Sequence, residues 1–168
     1  MDAPARWLRV EWPMTTMMLE LLLASSIAGA MVLVAIQSNR HLQQRVQMLD
    51  GLSLGAGPKV AMMEYRAMTG MWPLSNEAAG YIAAPARGQG RVRSMSIRAN
   101  GAVDITFSNY AAEMEGKILT LRAWQGLDPG LPVAWSCGRS SAAPLTPHAT
   151  DRTTLRDDQL LSPCRGRP

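Results

Sequence analysis

The stretch MTTMMLELLLASSIAGAMVLVAIQSNRHLQQRVQMLDGL, residues 14–52, decides the architecture of this chain. Residues 21–36 carry no charge and are mostly apolar, and they make about 24 Å of α-helix. Adding residues 14–19 brings the helix to membrane length, provided that Glu20 is accommodated. Charged residues at a bilayer centre cost about 2.5–3.5 kcal/mol, so Glu20 needs a partner or a function. The pattern favours a membrane-anchoring helix over a cleaved secretory signal, which stays as the alternative.

Composition leaves room for one domain beside the membrane segment. The chain has 168 residues and a net charge of +4, which permits binding to nucleic acid or anionic surfaces without requiring it. Its two histidines, His41 and His148, are far apart, and no phosphate-binding loop or paired metal-ligand motif occurs. We therefore predict that the protein is not an enzyme and needs no cofactor or metal.

Two cysteines, Cys137 and Cys164, lie in the C-terminal third of the chain. For an exported domain the expected state is a disulfide between them, and the alternative is a pair of buried free thiols. The bridge would stabilise the fold by about 3–4 kcal/mol in the chain-entropy model.

Beyond the apolar run the helix becomes amphipathic. Leu42, Val46 and Leu49 recur at spacings of four and three, which predicts a stripe that packs on a following sheet. Glycines and Pro58 then interrupt the helix, which predicts either a kinked helix or two helices. Gly70 is the predicted C-cap of this helical region.

After residue 90 the apolar period changes to two. Met95 and Ile97 alternate with polar residues, Asn100-Gly101 is a strong hairpin signal, and a second alternating strand follows at residues 103–107. Residues 117–123 and 133–137 supply a third and a fourth strand. The predicted class is α+β: a long N-terminal helix packed on a roughly four-stranded antiparallel sheet, with a C-terminal region that contains only Leu160 and Leu161 as packing candidates.

Four arginines precede and enter the first hairpin. The favoured interpretation is a solvated sheet edge whose charge discourages edge pairing, and the alternative is a site for DNA or another anionic surface. Trp72 and Trp135 are predicted as core anchors. The candidate binding residues are Arg87, Arg91, Arg93 and Arg98.

The N-terminal stretch resembles the first helix of type IV pilins. Setting Glu20 on the glutamate of that family aligns Leu19, Leu21 and Ile27 without a gap. Further similarities follow in the order of the family: the segment 51–54, Lys59, Glu64-Tyr65, Gly70 with Trp72-Pro73, Asn100-Gly101, the strands at 116–121 and 133–137, and a cysteine close to the end.

The resemblance implies a subunit that is anchored in the inner membrane as a precursor, processed by prepilin peptidase, methylated, and stacked by the assembly machinery into an extracellular pilus. Such pili serve cell adhesion, twitching motility or DNA uptake. Glu20 would then be an assembly contact that neutralises the amino group of a neighbouring subunit. The Cys137–Cys164 region would correspond to the exposed variable region of pilins.

The leader is where the sequence departs from the family. The expected cleavage point lies between Thr15 and Thr16, where pilins usually carry glycine and phenylalanine. Four alternatives therefore stay open: a major or minor pilin, a minor pilin that binds DNA, a pseudopilin of type II secretion, and a membrane-tethered domain that joins no filament. The expected division is a leader at 1–15, a transmembrane half at 16–39, an amphipathic helical region at 40–73, a connecting loop at 74–90, a sheet at 91–137 and a disulfide-bounded region at 138–168.

Overall fold

The computed structural model describes residues 14–82, 90–125, 132–142, 146–147 and 149–166. The chain divides into two compact units, Met1–Asn39 and Arg40–Pro168. The second unit contains the sheet and the disulfide, and the first contains the apolar part of the long helix.

Helix α1 spans Met14–Leu54 and helix α2 spans Ala56–Thr69, so the prediction of an interrupted helical region is confirmed. The interruption is slight: Gly55 keeps right-handed helical angles, φ −60° and ψ −12°, and its N–H donates to the Gly51 carbonyl at 2.9 Å. Because Pro58 has no N–H to offer the Leu54 carbonyl, the regular bonding pattern lapses there. Gly70 ends α2 in the left-handed conformation with φ 73°, as expected for its C-cap.

The sheet is antiparallel and has four main strands, as the sequence predicted, and their order is β1-β2-β3-β4. They are β1 Val92–Arg98, β2 Ala102–Phe107, β3 Ile118–Gln125 and β4 Ala134–Cys137. The Asn100-Gly101 turn joins β1 to β2, with Arg98 opposite Ala102. A two-residue strand, β5 Thr146–Pro147, adds to β3 beyond the end of β2 and was not predicted.

The second unit packs its helical segment closely on the sheet through glycines. A Cβ added at Gly51 would lie 2.8 Å from Phe107 Cε1, and one at Gly55 would lie 2.7 Å from Leu121 Cδ1. At such distances the Phe107 and Leu121 side chains would have to shift, so these glycines allow the helix and the apolar sheet face to come this near. The core beneath them includes Val103, Ile105 and Phe107, all fully buried.

The prediction that a stripe of leucine and valine side chains packs on the sheet is wrong. Leu42, Val46 and Leu49 are 58%, 38% and 55% exposed. The buried residues of α1 are instead Gln44, Gln47, Met48 and Gly51. Small and hydrogen-bonding residues face the sheet because the helix must approach it closely and must bond the loops at its edge, and neither is possible for a row of leucines.

The C-terminal region is tied to the sheet by the predicted disulfide. Cys137 and Cys164 are bonded, with Cα atoms 4.7 Å apart. Of the two predicted packing residues, Leu160 is buried and Leu161 is half-buried, while Leu155, which was not predicted, is fully buried. The region also bonds the edge of β3, where the Thr154 N–H donates to the Ile118 carbonyl at 3.0 Å. These contacts explain why the described part of a segment with little periodicity packs on the sheet.

Candidate assembly surface

The first unit offers an apolar helical surface. Its 18-residue window has a mean hydropathy of 2.2 and none of it is buried, so this helix is long and apolar enough to cross a membrane. Leu21 and Leu33 are 68% and 65% exposed. The hydroxyls of Ser25 and Ser26 donate to the carbonyls of Leu22 and Leu23, at 2.9 and 2.8 Å. Because these polar groups bond within their own helix, they do not hinder burial in lipid or against another helix.

Glu20, the predicted assembly residue, lies exposed on α1 within this apolar surface. The predicted cleavage residues Thr15 and Thr16 lie at the start of the same helix, which begins at Met14. The structure therefore places the three residues within two turns of one helix.

The second unit carries a further apolar surface on its helices, which we call the outer stripe. Its members recur at alternating spacings of four and three residues and lie on the side of α1 and α2 that does not face the sheet. All are exposed to solvent in this unit, and all but one are apolar. The outer stripe consists of Leu42, Val46, Leu49, Ser53, Ala56, Val60, Met63 and Ala67.

Along one side of α2, two cationic side chains lie over two tryptophan rings. The Lys59 ammonium lies 5.4 Å from the ring centroid of Trp135, which meets Trp72 edge to face at 6.3 Å. The Arg66 guanidinium lies 4.4 Å from the ring of Trp72. Partial burial lowers the pKa of Lys59. The tryptophans, predicted as core anchors, are half-buried and join α2 to the sheet while supporting charged side chains at the surface.

The structure pairs the three described candidate arginines with different carboxylates. Arg91 bonds Asp50 at 2.6 Å, Arg93 bonds Glu115 at 2.9 Å, and Arg98 bonds Asp104 at 2.7 Å.

The bond to Asp50, and then contact with Tyr110, raise the pKa of Arg91. Arg87 lies outside the described residues. These ion pairs favour the sheet-edge role, and binding of DNA or another anionic surface by the four arginines stays a prediction.

Asp104 is a polar residue whose environment the sequence did not reveal. Its alternation with Val103 and Ile105 predicts an outward, solvated side chain, yet the residue is only 7% exposed. Thr120 Oγ1 donates to its carboxylate at 2.8 Å, and Arg152 Nη1 lies 3.9 Å from it. The C-terminal region covers this face of the sheet over β2 and β3, so the sheet is packed on both faces there. In the sequence, only the pair of cysteines indicated that the C-terminal region folds back onto the sheet.

Within the described ranges, no three histidine, cysteine or acidic side chains come together in a way that could hold a metal ion. The notable surfaces of this part of the chain are thus apolar helix faces with charged flanks. Such surfaces bind other helices or lipid.

Comparison with known proteins agrees with this architecture. Residues 45–164 match the sequence profile of the pilin family of bacterial filaments. The chain is 31% identical over 142 residues to the type IV major pilin protein PilE of Neisseria gonorrhoeae, covering 83% of this chain and 80% of that protein. It is 30% identical over 135 residues to the fimbrial protein EcpC of Eikenella corrodens, covering 77% and 85% of the two chains. With its long N-terminal helix, antiparallel sheet and C-terminal disulfide, the chain belongs to the pilin family.

Proposed function

We propose that this protein is a structural subunit of a type IV pilus and assembles through its apolar N-terminal helix. The observation that carries the proposal is the fully exposed apolar window of α1 in a chain whose second unit has a core of its own. An exposed apolar helix of this length requires either lipid or other helices around it. A precursor in the inner membrane and a filament outside the cell supply these two environments in turn. The similar proteins named as a major pilin and as a fimbrial protein support the same role.

Glu20 is the proposed assembly contact. Surrounded by apolar helices, an unpaired carboxylate is strongly unfavourable, whereas a carboxylate that meets an amino group of a neighbouring subunit is compensated. Removal of the leader between Thr15 and Thr16 supplies such an amino group on Thr16. The proposal therefore joins processing to assembly, because the peptidase creates the group that Glu20 neutralises.

We expect Glu20→Ala to reduce incorporation into pili by about tenfold or more, because the neighbouring amino group loses its partner and an unpaired buried charge costs several kcal/mol. Incorporation is measured by immunoblotting of sheared filaments against the cell fraction. The matched control is Glu77→Ala, an exposed carboxylate in the second unit. Formation of the Cys137–Cys164 bond in both variants shows that the domain has folded. Incorporation of Glu20→Ala at the control level would contradict the proposed role.

Mass spectrometry of the mature N-terminus tests processing separately. A methylated chain that begins at Thr16 is the expected result. An intact leader would refute cleavage at this site and favour the membrane-tethered alternative. Adhesion, twitching motility and DNA uptake are functions of the whole filament, and we propose them only as the range of roles that such a subunit supports.

A further inference from the structure

The outer stripe has the period of a coiled-coil seam. Its members span residues 42–67 with alternating spacings of four and three, an average of 3.5 residues. A helix with this period keeps one face towards a partner when the two supercoil in a left-handed sense. In a surface helix this outward face is normally polar. Here Leu42, Leu49 and Val60 are 58%, 55% and 57% exposed, although glutamines occupy the inner face.

The charged residues that flank the outer stripe would face residues of opposite charge on a second copy of the same helix. If Val46, Ser53, Val60 and Ala67 take the a positions, then Arg45 and Lys59 take g positions, and Asp50 and Glu64 take e positions. In a parallel pair without stagger, each g residue faces the e residue five positions later on the partner helix. Arg45 then faces Asp50 of a second copy, whose carboxylate also bonds Arg91 of its own chain, and Lys59 faces Glu64 of a second copy. Both contacts join opposite charges, and the two-fold symmetry of the pair makes each of them twice.

Lys59 is well suited to such a contact. Its ammonium rests on Trp135 and is half-buried, and within the described residues it forms no ion pair. The ring holds the side chain in one place, which lowers the entropy that it loses on meeting a carboxylate. Glu64 lies exposed on the same helix and completes the arrangement.

Orientation and register follow from the rest of α1. Two copies anchored by the same helix in one membrane point the same way, so only a parallel pair can form there. In the sequence the same spacing continues upstream through Asn39, Ala35, Val32 and Ala28. A single asparagine at an a position fixes the register of parallel two-stranded coiled coils, and Asn39 occupies such a position. Small residues before it suit close helix contacts in lipid.

We propose that the outer stripe pairs in register with the outer stripe of a second copy of this chain, as a parallel two-stranded coiled coil, while the protein is held in the membrane. The pair is closed by its two-fold axis and cannot grow, unlike a helical filament, in which copies are displaced along the axis. It is therefore a state of the precursor, distinct from the filament, and it goes beyond the proposed function because it needs membrane anchoring and no pilus.

Cysteine crosslinking of the full-length protein in its membrane tests the register. Both native cysteines are in the disulfide, so a new thiol reports only its own surroundings. We expect Val60→Cys to give a covalent dimer under mild oxidation, because a positions of the two copies face each other. The matched control is Met68→Cys, which is 79% exposed and lies off the outer stripe, and which should stay monomeric. A crosslink that appears only when Val60→Cys is mixed with Val46→Cys would show a staggered pair and overturn the proposal, as would the absence of both crosslinks.

Charge reversal tests the flanks. Glu64→Lys places two lysines opposite each other at both contacts of the pair and should reduce the yield of the Val60→Cys dimer about tenfold. Adding Lys59→Glu in the same chain should restore the dimer, because the ion pairs then form with reversed signs. An unchanged dimer in Glu64→Lys, or no restoration in the double variant with the native disulfide formed, would contradict the charge contacts. If these crosslinking tests fail while Glu20→Ala still impairs incorporation into pili, the paired precursor is refuted and the proposed role as a pilus subunit stands.

Discussion

At the scale of single residues, Gln47 shows why the hydropathy pattern assigned the wrong face of α1 to the contact with the sheet. The side chain is fully buried and donates to the carbonyls of Arg91 and Ser108 at 2.7 and 3.0 Å, while its oxygen accepts from the Ala111 N–H at 3.0 Å. It thereby satisfies loop backbone groups at the end of the sheet. A sequence pattern ranks glutamine as solvent-facing, and only the loop geometry reveals that three backbone groups need it.

We expect Gln47→Leu to lower the free energy of unfolding by about 2–4 kcal/mol, because the Ala111 N–H and the Ser108 carbonyl lose their bonds to the Gln47 amide, and the Arg91 carbonyl keeps only its bond from the Ser108 N–H. Chemical denaturation of the detergent-solubilised chain, with the disulfide intact, measures the change. Gln43→Leu, at a half-buried helical position, is the control and should be nearly neutral. Equal stabilities of the two variants would show that the loop groups bond elsewhere.

At the scale of elements, the four longer strands and the Gly70 C-cap were predictable, and β5 and the cover on the second face of the sheet were not. Alternation located β1 and β2, and Asn100-Gly101 located their turn, because period and turn chemistry are local properties. The cover over Asp104 depends on contacts between residues far apart in the chain. Arg98 lies on β1 and donates both to Asp104 and to the Thr150 carbonyl, so one side chain connects the sheet to the C-terminal region.

We expect Asp104→Asn to destabilise the domain by about 3 kcal/mol, because the Arg98 charge then loses its partner in a buried setting. The C-terminal region should also loosen, so trypsin should cut more rapidly after Arg152 or Arg156. The control is Asp158→Asn, since Asp158 is exposed and its ion pair with Arg156 contributes little. Equal cleavage rates in the two variants would show that the disulfide alone holds this region.

At the scale of the whole molecule, the order of the segments carried more information than any one of them. The apolar helix with one carboxylate, the interrupted second helical segment, the hairpin and the two cysteines predicted the fold together, although each is weak alone. The sequence predicted the apolar window, which the structure shows exposed, whereas Leu42, Val46 and Leu49 of the outer stripe were wrongly assigned to the face against the sheet. Both faces of that helix contain residues at helical spacing, and the sequence alone does not show which of them a sheet will cover.

The covered polar face of the sheet has a consequence for the evolution of this protein. Side chains that hold the C-terminal region, such as Asp104 and Arg98, point inwards, whereas Asp157 and Asp158 are exposed on its outer side and pair with Arg139 and Arg156 of the same region. Mutations on the outer side therefore leave the attachment of the region unchanged. We expect lineages of this protein to diversify there freely, while the residues that attach the region to the sheet are retained.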